Sequence, residues 1–271
     1  MPRRKDNLPS FNAVGANQTA TVNLPVDRRY HMLFINYKDD SDQATIEADI
    51  EEIRILVDGN VQRRFSAKDL FAINAFNGYG FKDGFLPIFF SEPWRRNASG
   101  EDLLSWGLYG RGTFQIEIDI SADAVAPKLG GVYVFDNVEQ PLTNIIKWRK
   151  QSVGVTSTGL YTHSTLSKKE IYQRIHCFEQ NAGDIGDVSI EVEGLNVYDA
   201  NDEENDVILQ TQELAPSADA FHIVFDETQR VEDGLPMTKP NGSKVSEFVI
   251  DFNMNEANDF TMLIETRGNP D

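Results

Sequence analysis

The chain has little of what stabilises small secreted proteins or anchors membrane proteins. Its 271 residues include one cysteine, Cys177, so no disulfide can form within the chain. No stretch approaches the roughly 18 apolar residues of a membrane-spanning helix. The basic start, MPRRKDNLPSFN, is not followed by the apolar core of a secretory signal. These absences predict a soluble protein that is not exported by that route and is stabilised by packing and by any oligomer that it joins.

Basic residues are also in the minority. The chain has 25 Lys and Arg against 43 Asp and Glu, for a formal net charge of −18. A field of this sign repels phosphate backbones, so we expect no direct genome binding by the body of the protein. Arg3, Arg4 and Lys5 are the exception. They lie in a predicted N-terminal arm, residues 1–8, which we interpret as a disordered solubilising tail or as an arm that contacts an anionic surface such as a membrane.

Apolar residues recur at every second position, the period of a β-strand with one buried face. The clearest examples are FQIEIDI (Phe114–Ile120) and EFVIDFNM (Glu247–Met254). Helix signals are few: Ser66 is predicted to cap AKDLFAINAF, and Ser99 to cap GEDLLSWGLY. The pattern predicts an all-β fold with a few short helices in its loops. The other predicted strands are Thr19–Val26, Tyr30–Tyr37, Glu52–Val57, Leu86–Phe90, Val132–Phe135, Ile171–Phe178, Asp187–Val192, Phe221–Phe225 and Thr261–Thr266.

One phrase occurs twice: DIEEIRILVDGNV starts at Asp49, and the similar DIGDVSIEVEGLN starts 135 positions later. Three further segments follow in the same order at nearly the same spacing. They pair Asp69-Leu70 with Asp206-Val207 at 137 positions, Ile88–Phe90 with Ile223–Phe225 at 135, and Phe114–Ile120 with Phe248–Met254 at 134. The shared order predicts two tandem eight-stranded jelly rolls, at residues 9–140 and 160–271, joined by a connector at residues 141–159.

Catalytic motifs are missing. The sequence has no G-x-S-x-G, and its four histidines lack metal-ligand spacing such as H-E-x-x-H. His176 and Cys177 are neighbours on a predicted strand and point to opposite faces, so we interpret Cys177 as a core residue. Glu117 and Asp119 alternate onto a wet strand face. We expect no enzyme, and two alternatives that use tandem sandwiches stay open: a glycan-amide hydrolase and a carbohydrate-binding protein.

One acidic segment, DANDEEND (Asp199–Asp206), partly fits a calcium loop. Alternate residues from Asp199 onward are acidic or amide, but Glu204 replaces the glycine and Gln210 the bidentate glutamate that an EF-hand requires. We expect a solvated acidic turn or, as the alternative, a weak calcium site completed by a neighbouring subunit. Its candidate ligands are Asp199, Asp202 and Glu203. Calcium is thus a possible structural ion, with Asp39–Asp42 as a second acidic segment, and no cofactor is expected for chemistry.

Four segments resemble the major capsid proteins of corticovirus-type phages, which are tailless icosahedral viruses with an internal membrane. They are TVNLPVDRRYHMLFINY, IEEIRILVDGNVQRRFSAKDL, FQIEIDISADAVAPKL and EFVIDFNMNEANDFTMLIETRG. The most specific feature is APKL, Ala126–Leu129, directly after an alternating strand. The resemblance implies a double jelly roll whose barrels stand side by side and perpendicular to the capsid, as in tectivirus and adenovirus capsid proteins.

The resemblance also implies a function. Three copies are expected to form a pseudo-hexameric capsomer, and capsomers an icosahedral shell around an internal membrane. The expected partners are the chain itself, as a homotrimer and then a lattice, minor capsid or vertex proteins, and the viral membrane or its proteins. The expected location is the virion capsid, assembled in the host cytoplasm.

Overall fold

The computed structural model describes residues 2–38, 41–96 and 98–271. They divide into two compact units: a first unit of the residues up to Arg149 together with Gly268–Asp271, and a second unit of Lys150–Arg267. Within the described residues, no helix is both long enough and apolar enough to cross a membrane.

The first unit is a two-layer β structure with short helices in its connections. One sheet has the order β1-β9-β3-β6, with the short β7 beside β3, and the other the order β2-β8-β4-β5. Aromatic side chains join the layers: the ring centroids of Tyr30 and Phe114 are 5.0 Å apart. The elements are β1 (Arg4–Asn7), β2 (Thr19–Asn23), β3 (Arg29–Tyr37), α1 (Gln43–Asp49), β4 (Ile50–Val57), β5 (Asn60–Phe65), α2 (Ala67–Phe76), β6 (Phe85–Phe89), α3 (Ala98–Leu103), β7 (Trp106–Gly107), β8 (Phe114–Ile120) and β9 (Leu129–Asp136).

The second unit repeats this arrangement. Its sheets have the orders β14-β13-β17-β11 and β18-β12-β15, with the short β16 beside β12. Tyr172 and Phe248 join the layers at a ring-centroid distance of 5.0 Å. The elements are β10 (Ile145–Val153), β11 (Gly159–His163), β12 (Ile171–Phe178), β13 (Ile185–Val192), β14 (Leu195–Asn201), α4 (Asp202–Thr211), β15 (Ala220–Val224), a 3-10 turn at Val231–Asp233, β16 (Leu235–Pro236), β17 (Phe248–Met254) and β18 (Phe260–Gly268).

The repeated phrase forms the same hairpin and helix in both units. The order β4, β5, α2, β6 in the first unit corresponds to β13, β14, α4, β15 in the second. Ser66 caps α2 with a full capping box, as predicted, and Asn201 caps α4. These caps are 135 positions apart, so the helices align without the slip to 137 that the sequence comparison used. The predicted double jelly roll is confirmed.

The structure corrects the prediction for the basic arm, residues 1–8. Arg4–Asn7 is β1, which pairs antiparallel with β9, and Arg3 forms ion pairs with Glu101 at 2.7 Å and Asp102 at 3.1 Å. Its interpretation as a disordered tail is therefore wrong: β1 is the first strand of the first jelly roll. A run of polar residues gave no alternation to indicate a strand, and the pairing comes from the backbone of β9.

The predicted connector and one predicted helix also need correction. Residues 141–159 contain β10, whose first five residues belong to the first unit and whose last four belong to the second unit, where it lies beside β18. The helix predicted to follow Ser99 begins at Ala98 and ends at Leu103, and Trp106–Gly107 instead forms β7 against β3. Local composition did not reveal these strands because their partners lie far away in the sequence.

Candidate assembly surfaces

The equivalent edge strands β5 and β14 have different surroundings. In the first unit β5 is covered by the start of β10, with Trp148 opposite Arg63 in a parallel pairing. The Arg63 side chain is fully buried, donates from Nε to the Ile146 carbonyl at 2.9 Å and from Nη1 to the Phe89 carbonyl at 2.6 Å, and lies 4.9 Å from the Trp148 ring centroid. The edge of β5 is therefore closed by side-chain and strand contacts.

The C-terminal residue Asp271 completes this cover. Its backbone N–H donates to Gln62 at 3.1 Å, and its carbonyl accepts from the Asn60 amide at 3.0 Å. Its carboxylate accepts from Lys147 at 2.9 Å and from Arg149 at 3.1 Å. As a result the polar side chains of Gln62 and Lys147 are buried in the first unit.

No comparable cover lies on β14 in the part of the chain that the structure describes. There, β14 is paired with β13 alone. Leu195 is 70% exposed and Val197 43% exposed, whereas Gln62, the β5 equivalent of Val197, is 1% exposed. An edge strand that presents apolar side chains is a typical protein interaction site.

The helices that follow these strands also differ in burial, and the helix of the second unit is the more exposed one. Seven of the ten residues of α2 are buried, but only Asn205 and Leu209 are buried in α4. The apolar side chains of Val207 and Ile208 are instead exposed. We call the exposed residues of β14 and α4 together the β14–α4 surface.

A groove of about 540 Å³ adjoins this surface at the β13–β14 hairpin. Leu195 and Val197 line it together with Pro236 and Val245, and the polar groups at its rim include Glu193 and Lys239. Lys239 and Glu193 form an ion pair of 3.0 Å in this groove, which Thr238 and Asn241 also line. Another protein chain that contacted these apolar side chains would remove them from water.

The predicted calcium ligands belong to the β14–α4 surface, and the predicted acidic turn is wrong as a structure. Asp199 lies in β14, and Asp202 and Glu203 form the first turn of α4. Burial raises the pKa of Asp202, and burial and the charge of Asp202 together raise that of Asp206. Among the described residues, no group of three or more His, Cys, Asp or Glu side chains is placed to hold a metal ion. A calcium site completed by another subunit stays a prediction, and Asp39 and Asp40 of the other segment lie outside the described residues.

A second surface lies along β1, the edge strand of the β1-β9-β3-β6 sheet in the first unit. A polar groove of about 510 Å³ is lined there by Arg4 and Asp6 of β1 and by Asn137 and Glu139, which follow β9. Arg4 and Lys5 are exposed. We call these residues the β1 surface.

The side chains considered for chemistry have structural partners. Arg54 bonds Asp119 at 2.6 Å and Glu117 at 2.9 Å, and these bonds raise the pKa of Arg54. Cys177 is fully buried in the core of the second unit, as predicted, and burial raises its pKa. His176 points to the other face, where its Nδ1 lies 2.7 Å from Nδ1 of His222.

Two family models match the sequence in the order of the two units. The viral coat protein P2 N-terminal domain matches residues 5–135, and the viral coat protein P2 C-terminal domain matches residues 145–269. The chain belongs to the viral coat protein P2 family. This P2-family coat protein is a capsid component of a virion, as the sequence resemblance implied. No curated protein matches its sequence.

Solved structures show the same fold for this P2-family coat protein. The major capsid protein P2 from Bacteriophage PM2 is 19% identical, with a TM-score of 0.88 over 100% of this chain and 98% of that chain. The STIV MCP is 10% identical, with a TM-score of 0.73 over 100% and 98% of the two chains. A capsid structure from PBCV-1 virus is 8% identical, with a TM-score of 0.64 over 98% and 93%. The fold is thus shared at very low sequence identity.

Sequence reasoning missed the exposed apolar edge of β14. No strand was predicted at Leu195–Asn201, and only its last three residues fell within the predicted acidic turn. Among the described residues, the exposure of Val197 depends on the absence of a strand on the outer side of β14. The repeat was the signal that could have revealed this edge. When β14 is aligned with β5, the apolar Val197 takes the position of the polar Gln62, which is buried in β5.

Proposed function

We propose that this coat protein is the major capsid protein of an icosahedral virus and that three copies form its capsomer. The observation that carries the proposal is that each chain contains two jelly rolls with the same strand order. Three chains supply six similar barrels, so a trimer with three-fold symmetry can fill a nearly six-fold position in a closed lattice. The structural likeness to the major capsid protein P2 from Bacteriophage PM2 supports the same role.

The proposed partners follow from that role. Copies of the trimer contact one another in the lattice, minor capsid or vertex proteins close it, and an internal membrane or its proteins lie beneath it. We place assembly in the host cytoplasm. The role requires no catalysis, and the pairing of Glu117 and Asp119 with Arg54 supports a structural use of these carboxylates.

Light scattering of the purified chain tests the trimer. We expect a mass of three chains across micromolar concentrations, and an interface that buries more than about 2,000 Å², as is typical of permanent assemblies. A stable monomer throughout this range would contradict the proposal. Electron microscopy of purified virions tests the rest: we expect hexagonal capsomers and a bilayer beneath the shell, and a shell without either would overturn that part.

A further inference from the structure

We propose that the β1 surface of one copy covers the β14–α4 surface of the next copy, in the way that β10 and Asp271 cover β5 within one chain. The inference rests on the proposed trimer and names the two surfaces that make it. It follows from the internal repeat, from the exposure of the two surfaces and from their charges.

The repeat makes β1 the counterpart of β10. Each is the first strand of its jelly roll, and each lies beside the last strand: β1 beside β9, and β10 beside β18. The residues that follow the last strand also correspond. Asn137–Gln140 follow β9 as Asn269–Asp271 follow β18.

The cover on β5 uses both of these parts. Trp148 of β10 pairs with Arg63, and Asp271 bonds Gln62 and Asn60. The equivalent parts of the first jelly roll, β1 and the residues after β9, line one groove together through Arg4, Asp6, Asn137 and Glu139. The β1 surface thus has the same two components, in the same order, as the element that covers β5.

Both proposed surfaces are free to meet a second copy within the described residues. There, β1 is the outermost strand of its sheet and β14 the outermost strand of another. All four residues of β1 are exposed, and Leu195 and Val197 of β14 present apolar area to water. A strand laid along β14 would remove part of that area from water.

Arg4 and Lys5 are exposed on β1, whereas the β14–α4 surface carries Asp199 and the acidic first turn of α4. The β1 surface also carries Asp6 and Glu139, and its two cations are the groups that can face an acidic surface. Opposite charges across an interface favour encounter and fix its register. In a chain with a net charge of −18, these neighbouring cations are the feature that suits an acidic surface on another copy.

The contact joins two different surfaces, so it is head-to-tail. Head-to-tail contacts form a closed ring when the rotation between copies closes, and an open filament when it does not. Three copies related in this way would give each β14 one β1, with neither of these two surfaces left uncovered. A chain that carries one surface of each kind is therefore expected to stop at a closed oligomer.

Crosslinking of mixed variants that each carry one added cysteine tests the contact directly. We expect a short bismaleimide to give a two-chain band when Lys5→Cys chains are co-expressed with Val197→Cys or Asp199→Cys chains, and no such band with either variant alone. The matched control pairs Lys5→Cys with Leu160→Cys, because Leu160 is 74% exposed on β11 at the other edge of the same sheet as β14. The native Cys177 is buried and should not react.

A charge exchange gives a second measurement. Arg4→Glu with Lys5→Glu should raise the concentration at which half of the trimer dissociates by about 10-fold at low ionic strength. Adding Asp199→Lys and Glu203→Lys should restore the original value. Lys128→Glu with Arg230→Glu changes the net charge equally and should leave it unaltered. Circular dichroism would show that each variant is folded.

The outcomes separate the two proposals. A wild-type trimer that gives no Lys5–Val197 or Lys5–Asp199 crosslink, or as much crosslink with Leu160→Cys, overturns the β1–β14 contact and leaves the trimer standing. Failure of the charge exchange to restore association also counts against the contact. A wild-type chain that is monomeric overturns both the trimer and the contact.

Discussion

At the scale of single residues, the second unit contains a buried histidine pair that only folding brings together. His176 on β12 lies opposite His222 on β15, and their Nδ1 atoms are 2.7 Å apart. Nε2 of His176 lies 3.5 Å from a carboxylate oxygen of Glu265. Burial lowers the pKa of both histidines, that of His176 to about 3. The pair is therefore neutral in the folded chain, with one ring donating to the other.

This pair predicts that the protein loses stability in acid. An unfolded histidine takes up a proton below a pKa of about 6.5, whereas the folded pair does not, so the unfolded state gains protons as the pH falls. Each histidine should cost up to about 1.4 kcal/mol of unfolding free energy per pH unit below that value, until the folded pKa is reached. Urea unfolding at pH 7 and pH 5 measures the loss. We expect a smaller loss for His176→Gln, and equal losses in the variant and the wild type would contradict the assignment.

At the scale of elements, both units have an acidic residue in a hairpin turn that bonds the backbone just before a neighbouring strand. The turn between β4 and β5 is Asp58-Gly59, and the turn between β13 and β14 is Glu193-Gly194, all four with positive φ. Such two-residue turns match the twist of a hairpin. Asp58 accepts from the backbone N–H of Gly112 at 2.7 Å, just before β8. Glu193 accepts in the same way just before β17, so the acidic residue of the repeated phrase has a structural role in both copies.

The turn glycines carry a prediction about stability. The φ angle is 79° at Gly59 and 74° at Gly194, and a Cβ at either position would meet no atom within 4 Å. The cost of Gly59→Ala or Gly194→Ala is therefore one of backbone conformation, about 1–2 kcal/mol. Gly80→Ala is the matched control, because Gly80 also has open space around it but no positive φ. Thermal melts compare the three variants, and an equal effect at Gly80 would exclude this explanation.

At the scale of the whole molecule, charge limits how closely copies can be assembled. Each chain carries −18, so copies packed side by side in a capsid bring like charges within a Debye length of about 8 Å at physiological ionic strength. Screening or bridging ions must offset this repulsion. Calcium is suited to bridging because it accepts oxygen ligands from several chains in irregular geometry.

We predict that assembled shells depend on divalent cations, with Asp199, Asp202 and Glu203 as candidate ligands on one of the chains. A chelator should loosen shells, as followed by light scattering, and sodium chloride alone should restore them only in part. Neutralising the three residues together should reduce the chelator effect, with the trimer checked separately in the same samples. Shells that stay intact in chelator at low ionic strength would contradict the prediction and leave the acidity as a source of solubility alone.

Much of the fold could be predicted from the sequence because it depends on near neighbours. Alternation in Phe114–Ile120 and Phe248–Met254 indicates strands with one buried face, and both are strands with that burial pattern. Ser66 caps α2 through residues only three positions away. The repeat also predicted two jelly rolls, because its spacing of about 135 residues is visible in the sequence itself.

Contacts between distant segments decided the rest. The polar strand Arg4–Asn7 exists because β9 supplies its hydrogen bonds, and the predicted connector became β10 beside β18. Arg63 is buried because Trp148 and distant carbonyls cover it, and Val197 is exposed because no strand in the described chain lies on the open edge of β14. Sequence by itself determined the strands, turns and doubling, which arise from periodicity and local bonding. Only the tertiary structure decided which edge strands are covered and which are exposed. The burial of a residue depends on the segment that packs against it as much as on the residue itself.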